Sequence, residues 1–242
     1  MKSIGIVGAT SPVARELAHL FGKASKDILL CGRNLEELER DAEDYRIRYG
    51  INVDVLELDI LNEAQLNKFH EQRNKLEGLI FLAGYLGDND KAKTDWSEAE
   101  LILQTNYAAA IACINPVAAH FAERNNGWIC ILSSVAGDRG RGTNYHYGSA
   151  KAGLSAYASG LRNALAAKGV HVLTVKPGFM RTPMTEGMPL NPVLTASPKK
   201  AASVIYKAIQ KRRNVVYVLW MWRYIMLIIR HIPESIFKKL KL

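Results

Sequence analysis

The sequence is poor in cysteine, with Cys31, Cys113 and Cys130 as its only three. They lie far apart inside apolar stretches and form no CxxC pair and no Cys/His pattern with metal-ligand spacing. This argues against a disulfide framework, and we expect no metal site. Buried free thiols in a reducing compartment are the expected state of all three.

The first residues, MKSIGIVGAT, also lack the long apolar run of a signal peptide, because the short run passes directly into a turn. We therefore expect a cytosolic protein. No solenoid period, low-complexity segment or interdomain linker interrupts the chain. With 242 residues, 48% of them hydrophobic, the chain is long enough for one domain with a sizeable core.

Acidic residues are scarce near the C-terminus, where Glu234 is the only one after position 210. Eight Lys and Arg residues in the same segment give it +7 of the total net charge of +9, which leaves +2 for the first 210 residues. A nucleic-acid footprint across the whole protein is therefore disfavoured, and we expect no nucleic-acid partner.

Short apolar runs alternate with helical patterns along the chain, and the strand candidates are IGIV, DILLCG, VDVLEL, GLIFLAG, WICILSS, VHVLTVKPG and VVYV. The alternation predicts an α/β fold, a doubly wound parallel sheet of about seven strands with helices on both faces. Ligands of such folds bind at the carboxyl ends of the strands. We predict a catalytic domain over residues 1–218, a mobile substrate loop at about 180–198, and a basic amphipathic helical tail over 219–242.

The turn after the first strand, in VGATSPVARELA, lacks most of the glycines of a phosphate-binding loop. Gly8 ends the strand, but Pro12 and Ala14 occupy two expected glycine positions. Ser11 suits a helix N-cap, and Pro12 suits the first helical position. The helix N-terminus could still bind a pyrophosphate, although an ordinary turn without a ligand fits this loop alone equally well.

Tyr147 and Lys151 lie one helical turn apart in YHYGSAK, and Ser134 in ILSS precedes the tyrosine by thirteen positions. With these residues the sequence resembles the short-chain dehydrogenase/reductase family over nearly its full length, which implies a Rossmann-type fold and ketone/alcohol redox chemistry. Further matching positions are Asn106 in LQTNYAAA, Asp59 in ELDI, Ala83 and Gly84 in FLAG, and Pro177, Gly178 and Thr182 in KPGFMRTP.

Hydride transfer to a carbonyl leaves negative charge on oxygen, which needs a proton donor and a second hydrogen bond. Tyr147 is the predicted donor, and the Lys151 cation is expected to favour its phenolate. The resemblance implies that Lys151 also holds the nicotinamide ribose and that Ser134 orients the substrate oxygen. It implies further that Asn106 anchors a water chain that resupplies protons.

The second strand ends in LLCGRN, with Arg33 near the position where an NAD enzyme usually carries an acidic residue. A cation there suits a 2′-phosphate, so NADP(H) is the predicted cofactor, although Arg33 could also cover the sheet edge. By resemblance, Asp59 and Ile60 would lie beside the adenine. The full predicted cofactor set is Gly8, Thr10, Ser11, Pro12, Val13, Arg33, Asp59, Ile60, Ala83, Gly84, Tyr147, Lys151, Pro177, Gly178 and Thr182.

The tail, VVYVLWMWRYIMLIIRHIPESIFKKLKL, is too often interrupted by charge to reach the roughly 20 apolar residues of a membrane span. On a helix, Arg223 and Arg230 share one face. The rest of the helix surface would be covered largely by Trp220, Tyr224, Met226, Leu227 and Ile228. A second short helix would follow, with Ile236, Phe237 and Leu240 beside Lys238, Lys239 and Lys241. This pattern favours an interfacial helix at the inner face of a membrane. The alternative is a helix packed on its own domain or on a sister subunit of a homo-oligomer, a dimer or tetramer.

The tail and the segment SSVAGDRGRG resemble the subgroup that includes decaprenylphosphoryl-ribose 2-keto reductases, whose substrates are sugars on polyprenyl phosphate. Arg139 and Arg141 would then face an anionic substrate group, or else be solvated loop residues. A lipid-linked sugar or another amphiphile is one candidate substrate, and a soluble or carrier-bound ketone such as a β-ketoacyl thioester is the alternative. Phe81 and Leu82, which replace two asparagines of the family pattern, leave a third reading open, a nucleotide-sensing protein without turnover.

Overall fold

The computed structural model describes residues 2–240 and contains a seven-stranded sheet in the order β3-β2-β1-β4-β5-β6-β9, with every neighbouring pair parallel. The strands are β1 (Ser3–Val7), β2 (Asp27–Gly32), β3 (Val53–Glu57), β4 (Leu76–Phe81), β5 (Gly127–Leu132), β6 (Val170–Lys176), β7 (Phe179–Met180), β8 (Thr195–Ala196) and β9 (Val215–Tyr217). Strands β7 and β8 form a separate parallel pair. The predicted α/β fold is confirmed.

Helices cover both faces of the sheet, as the apolar strands require. They are α1 (Pro12–Lys23), α2 (Leu35–Tyr49), α3 (Glu63–Glu71), α4 (Asn89–Ala92), α5 (Trp96–Leu103), α6 (Ala109–Glu123), α7 (Tyr145–Leu165), α8 (Pro198–Gln210), α9 (Met221–His231) and α10 (Glu234–Phe237). One apolar cluster packs α1, α2 and α8 on one face, and a second packs α3, α6 and α7 on the other. The three cysteines are buried free thiols.

The chain order reverses between β1 and β4, because β2 and β3 lie on one side of β1 and the later strands lie on the other. This arrangement opens a crevice at the carboxyl ends of the two strands, which is where open α/β sheets bind ligands. Strands β4, β5 and β6 end at Phe81, Leu132 and Lys176, earlier than the apolar runs suggest. The residues that follow leave the sheet and line the crevice.

Among residues 2–240, one helical segment is long and apolar enough to cross a membrane by length and composition, Trp96–Glu123. It comprises α5, a π-helical turn at Gln104–Ala108, and α6. Its residues Ile114, Val117 and Phe121 are fully buried in the core beneath the sheet. The segment therefore packs as a core helix of this fold.

The tail folds back onto the domain through one face of α9. Trp222 and Met226 are buried in a cluster with Val135, the residue that follows Ser134. The other face of α9 is apolar and exposed, with 71% of Trp220 and 67% of Ile228 accessible. The sequence placed Met226 on an interfacial surface, but in the structure it packs against the domain. It lies four positions after Trp222 and therefore shares the buried face of α9. Lys241 is outside the described residues.

Candidate active site

A cavity of about 590 Å³ lies at the carboxyl ends of β1, β4, β5 and β6. It brings together Ser134, Tyr147, Lys151 and every member of the predicted cofactor set, whereas Asn106 and Arg139 do not line it. The cavity has a polar end at the start of α1 and an apolar end beside α9. Sequence reasoning did not single out several of its other lining residues, among them Leu101, Thr105, Asn144 and Trp222.

At the α1 end of the cavity, the turn between β1 and α1 forms although it lacks two of the expected glycines. Gly8 has a φ of +83°, and a Cβ there would lie 2.8 Å from the backbone nitrogen of Ala83, so this glycine cannot be replaced without strain. Ser11 is the N-cap and accepts a hydrogen bond from the Ala14 backbone nitrogen at 3.2 Å, and α1 begins at Pro12. The Ala14 methyl group is buried in the core between α1 and the sheet. Pro12 and Ala14 therefore both fit at the two positions where glycine was expected.

Arg33 follows β2 and lies at the same end of the cavity, with its side chain exposed. It belongs to none of the ion pairs found within residues 2–240. The neighbouring Asp59 carboxylate accepts a hydrogen bond from the Leu61 backbone nitrogen at 2.9 Å, which fixes the loop after β3. This end of the cavity therefore offers the Arg33 cation and the N-terminus of α1.

Ser134, Tyr147 and Lys151 meet where β5 and α7 adjoin. The Ser133 hydroxyl donates to the Lys151 carbonyl at 2.9 Å and thereby ties α7 to the end of β5. The Lys151 ammonium is buried, donates to the Leu132 carbonyl at 3.2 Å, and lies 5.6 Å from the centre of the Tyr147 ring. The Ser134 Oγ accepts from the Ala136 backbone nitrogen at 3.1 Å, and its hydroxyl forms a hydrogen bond with Tyr147.

Burial, more than charge, governs the two titratable groups. It raises the pKa of Tyr147 to about 12, and the Ser134 hydroxyl opposes that rise. Burial also lowers the pKa of Lys151 to about 8, because the ammonium is removed from water. Desolvation sets the direction of the Tyr147 pKa in this structure, and the effect of the Lys151 cation on the phenolate stays a prediction. Tyr147 is a neutral phenol near neutral pH and is ready to donate a proton.

Asn106 lies in the π-helical turn between α5 and α6 and is fully buried. Its amide nitrogen donates to the carbonyls of Tyr85 and Ile102, and its Oδ1 accepts from the Tyr85 backbone nitrogen at 3.2 Å. A Cβ on Gly84 would lie 3.0 Å from Asn106 Oδ1 and 3.4 Å from Lys151 Nζ. Asn106 thus fixes the loop after β4 through hydrogen bonds and lies behind the residues that line the cavity.

The other end of the cavity is apolar, with Phe179, Met180, Met184 and Met188 along one wall. The tail completes this wall through Trp222, whose Nε1 donates to the Leu194 carbonyl at 3.1 Å. A Cβ on Gly178 would lie 2.0 Å from the Trp222 ring, so the glycine makes room for the indole. Periodicity alone could not reveal this contact, because an apolar helix position does not indicate what it packs against.

The two arginines of the loop before α7 have different surroundings. Arg139 donates to the carbonyls of Ile229 and Ile232 at 2.7 and 2.6 Å and pairs with Glu234 at 2.8 Å. It therefore closes the C-terminal end of α9, does not line the cavity and has a side chain only 15% exposed, contrary to both readings from sequence. Arg141 does line the cavity.

The chain is similar to known proteins over most of its length. A family model described as short chain dehydrogenase matches residues 2–191. The chain is 33% identical over 239 residues to an uncharacterized oxidoreductase of Mycobacterium tuberculosis, covering 97% of this chain and 95% of the relative. It is 28% identical to the 3-oxoacyl-[acyl-carrier-protein] reductase FabG of Aquifex aeolicus, over 74% of each chain.

Among solved structures, a short-chain dehydrogenase from Sphingobium yanoikuyae in complex with NADPH matches with a TM-score of 0.85 at 21% sequence identity. The match covers 97% of this chain and 98% of that one. The match extends over nearly the whole chain and shows that the two proteins share a fold.

Proposed function

The chain belongs to the short-chain dehydrogenase/reductase family and is an oxidoreductase, and on that premise we propose that it interconverts a ketone and an alcohol with NADP(H). The observation that carries the proposal is the meeting of Ser134, Tyr147 and Lys151 in one cavity with the N-terminus of α1. The same cavity would then hold both the dinucleotide and the proton donor for a carbonyl oxygen.

When bound, the nicotinamide supplies a hydride to the carbonyl carbon. Tyr147 donates its phenolic proton to the carbonyl oxygen as negative charge develops there, and the Ser134 hydroxyl donates a second hydrogen bond to the same oxygen. The buried Lys151 ammonium then stabilises the phenolate that remains, since an opposite charge nearby favours the ionised form.

The residues at the α1 end fit the remainder of the cofactor. Pro12 lacks an N–H and the Ala14 N–H is capped by Ser11, so the Val13 N–H at the start of α1 is the one that remains available to a phosphate oxygen. Arg33 would bind a 2′-phosphate. The adenine would lie against Asp59 and Ile60, and the nicotinamide end against Ala83, Gly84, Pro177, Gly178 and Thr182.

We predict that NADPH binds at least about tenfold more tightly than NADH, because one charge-assisted contact from Arg33 discriminates between them. Arg33→Ala should remove that difference by lowering NADPH affinity alone. Arg40→Ala, an exposed arginine on α2, is the matched control and should change neither affinity. Fluorescence titration of the two cofactors measures both constants, and equal affinities in the unmodified protein would show the NADP(H) assignment to be wrong.

We also predict that kcat/KM for ketone reduction falls above about pH 8. Since burial lowers the pKa of Lys151 to about 8, its positive charge is present below that pH and is lost above it, while Tyr147 remains protonated. Oxidation of the product alcohol should instead rise with pH, because Tyr147 must then accept a proton. Initial rates in both directions from pH 6 to 10 test this, and a reduction profile that is flat up to pH 10 would contradict it.

For the substrate we propose a lipid-linked sugar or another amphiphile, as in the decaprenylphosphoryl-ribose 2-keto reductase subgroup, presented at the inner face of a membrane. The apolar wall of the cavity is continuous with α9 through Trp222, and the outer face of α9 carries exposed Trp220 and Ile228. Four cations of the same tail are exposed as well, namely Arg223, Arg230, Lys238 and Lys239. The tail would thus hold the apolar end of the cavity near anionic headgroups.

A second candidate is reduction of a soluble or carrier-bound ketone, such as a β-ketoacyl thioester, by a cytoplasmic homo-oligomer. The similarity to the FabG reductase of Aquifex aeolicus favours it. In that case the outer face of α9 would pack against a sister subunit. A screen for NADPH consumption with keto-sugars, acyl thioesters and steroids, each with and without vesicles, separates the two candidates.

A further inference from the structure

Two polar side chains of the cavity, Arg141 and Asn144, have buried atoms without a protein partner. Both residues belong to the loop that leads into α7, and both line the cavity. Within residues 2–240, Arg141 Nε and Asn144 Oδ1 are shielded from solvent and form no hydrogen bond. One atom is a donor and the other an acceptor, so together they leave both kinds of hydrogen-bonding capacity unused.

Asn144 occupies the N-cap position of α7, yet it does not cap the helix with its side chain. An N-cap asparagine normally accepts a hydrogen bond from the second or third backbone nitrogen of the helix. Here φ is −160° and ψ is 43°, and the side chain makes no such bond. A shielded acceptor without a partner costs free energy, which a ligand hydroxyl would recover.

Arg141 is a cation without a dedicated counter-ion. The Asp138 carboxylate acts on the Arg141 guanidinium from a distance, but both of its oxygens already have partners. One accepts from Lys176 Nζ and the other from the Tyr217 hydroxyl at 2.7 Å. Burial lowers the pKa of the Arg141 guanidinium. By contrast, Arg139 is fully occupied by the end of α9. Arg141 therefore retains donors that a bound anion can use.

We propose that Arg141 and Asn144 form a substrate subsite, in which the guanidinium binds an anionic oxygen of the substrate and Asn144 Oδ1 accepts a hydrogen bond from a substrate hydroxyl. The inference rests on the proposed function and names its substrate class, a hydroxylated ketone that carries a phosphate or carboxylate. Asn144, the N-cap of α7, precedes Tyr147 by three positions, which places the subsite about one helical turn from the proton donor.

The subsite is separate from the cofactor's phosphates. Arg33 follows β2 and Arg141 follows β5, and strands β1 and β4 lie between those two strands. The ends of β2 and β5 are three strand spacings of about 4.8 Å apart, about 14 Å across the sheet. An anion at Arg141 is therefore carried by the substrate.

The test uses the full chain saturated with NADP+, titrated by calorimetry with dihydroxyacetone phosphate and with dihydroxyacetone. The two probes share a ketone and a hydroxyl and differ in the phosphate. We expect the phosphate to tighten binding at least about tenfold, the effect of one charge-assisted hydrogen bond. Arg141→Gln should reduce that difference to within about twofold. Arg181→Gln, an exposed arginine between two cavity residues, is the control and should preserve it.

Asn144→Asp provides a second variant that keeps the acceptor and adds negative charge. It should retain binding of dihydroxyacetone and weaken binding of the phosphate about tenfold, because the new carboxylate repels the anion. Equal binding of both probes by the unmodified protein, or equal losses in Arg141→Gln and Arg181→Gln, would overturn the subsite. Failure to bind NADPH, or to reduce any ketone, would instead overturn the proposed function, so the two failures are distinguishable.

Discussion

Replacing Tyr147 with phenylalanine should lower kcat at least about a hundredfold, the usual contribution of a positioned general acid. Only the hydroxyl is lost, so the ring that lies 5.6 Å from Lys151 Nζ is retained and the lysine keeps its bond to the Leu132 carbonyl. NADPH affinity should therefore stay within about twofold, because the variant removes an interaction of the reacting oxygen alone. Steady-state rates and a cofactor titration on the same preparation measure the two effects.

The control for this variant is Tyr145→Phe, which removes a phenol at the first position of α7 from a side chain that is 41% exposed. It should keep both activity and cofactor binding. Full turnover by Tyr147→Phe with an identified substrate would reject the mechanism. Loss of NADPH binding in that variant would show that Tyr147 is needed to build the site, whatever its role in proton transfer.

Making the outer face of α9 polar should release the protein from vesicles that contain an anionic lipid. Trp220→Ser, Leu227→Gln and Ile228→Gln together remove three exposed apolar side chains. Burying such side chains contributes about 1.5–3 kcal/mol each, so the combined variant should bind at least about a hundredfold more weakly. NADPH binding should persist, because Trp222 and Met226 on the inner face are unchanged. Cosedimentation at increasing vesicle concentration measures the effect.

A matched control removes exposed apolar side chains elsewhere, at Trp96 (67% exposed) and Ile47 (79%), by substitution with Ser and Gln. It should still sediment with vesicles. Salt should weaken binding of the unmodified protein, because headgroup attraction is screened over about 10 Å at 0.1 M. Vesicle binding that survives the α9 variant would refute the anchor. If light scattering instead shows that the α9 variant changes oligomeric state, the subunit-packing alternative is correct.

Point variants suit this test better than truncation before Trp220. Truncation would also remove Trp222, which fills the space beside Gly178 and forms part of the cavity wall. The remaining chain would have an open apolar cavity, so its behaviour would report two changes at once.

The sheet was predictable because its strands are apolar on both faces and alternate with helical patterns, a combination that leaves few other folds. The start of α1 was predictable for a local reason, since Ser11 and Pro12 specify a helix N-terminus by their own chemistry. Spacing along a predicted helix was enough to place Tyr147 one turn from Lys151. Each of these inferences depends on residues that are close in sequence.

The features that escaped prediction depend on contacts between distant residues. Arg139 binds carbonyls about 90 positions away, and its role is unknown until the tail has a place on the domain. The raised pKa of Tyr147 follows from burial, which the catalytic motif does not encode. Trp222 could have faced lipid, a subunit or the cavity. Only the packed structure distinguishes these, because α9 is apolar on both sides.

The central claim is that this cavity reduces a ketone with NADPH through Tyr147, and the most direct measurement is the consumption of NADPH with a panel of ketones. Keto-sugars, acyl thioesters and steroids are assayed with and without anionic vesicles, using the unmodified protein and Tyr147→Phe side by side. The account predicts that at least one ketone is reduced, with NADPH preferred over NADH, and that Tyr147→Phe reduces it at least about a hundredfold more slowly. Tight NADPH binding without turnover of any ketone, or equal turnover by both proteins, would contradict it.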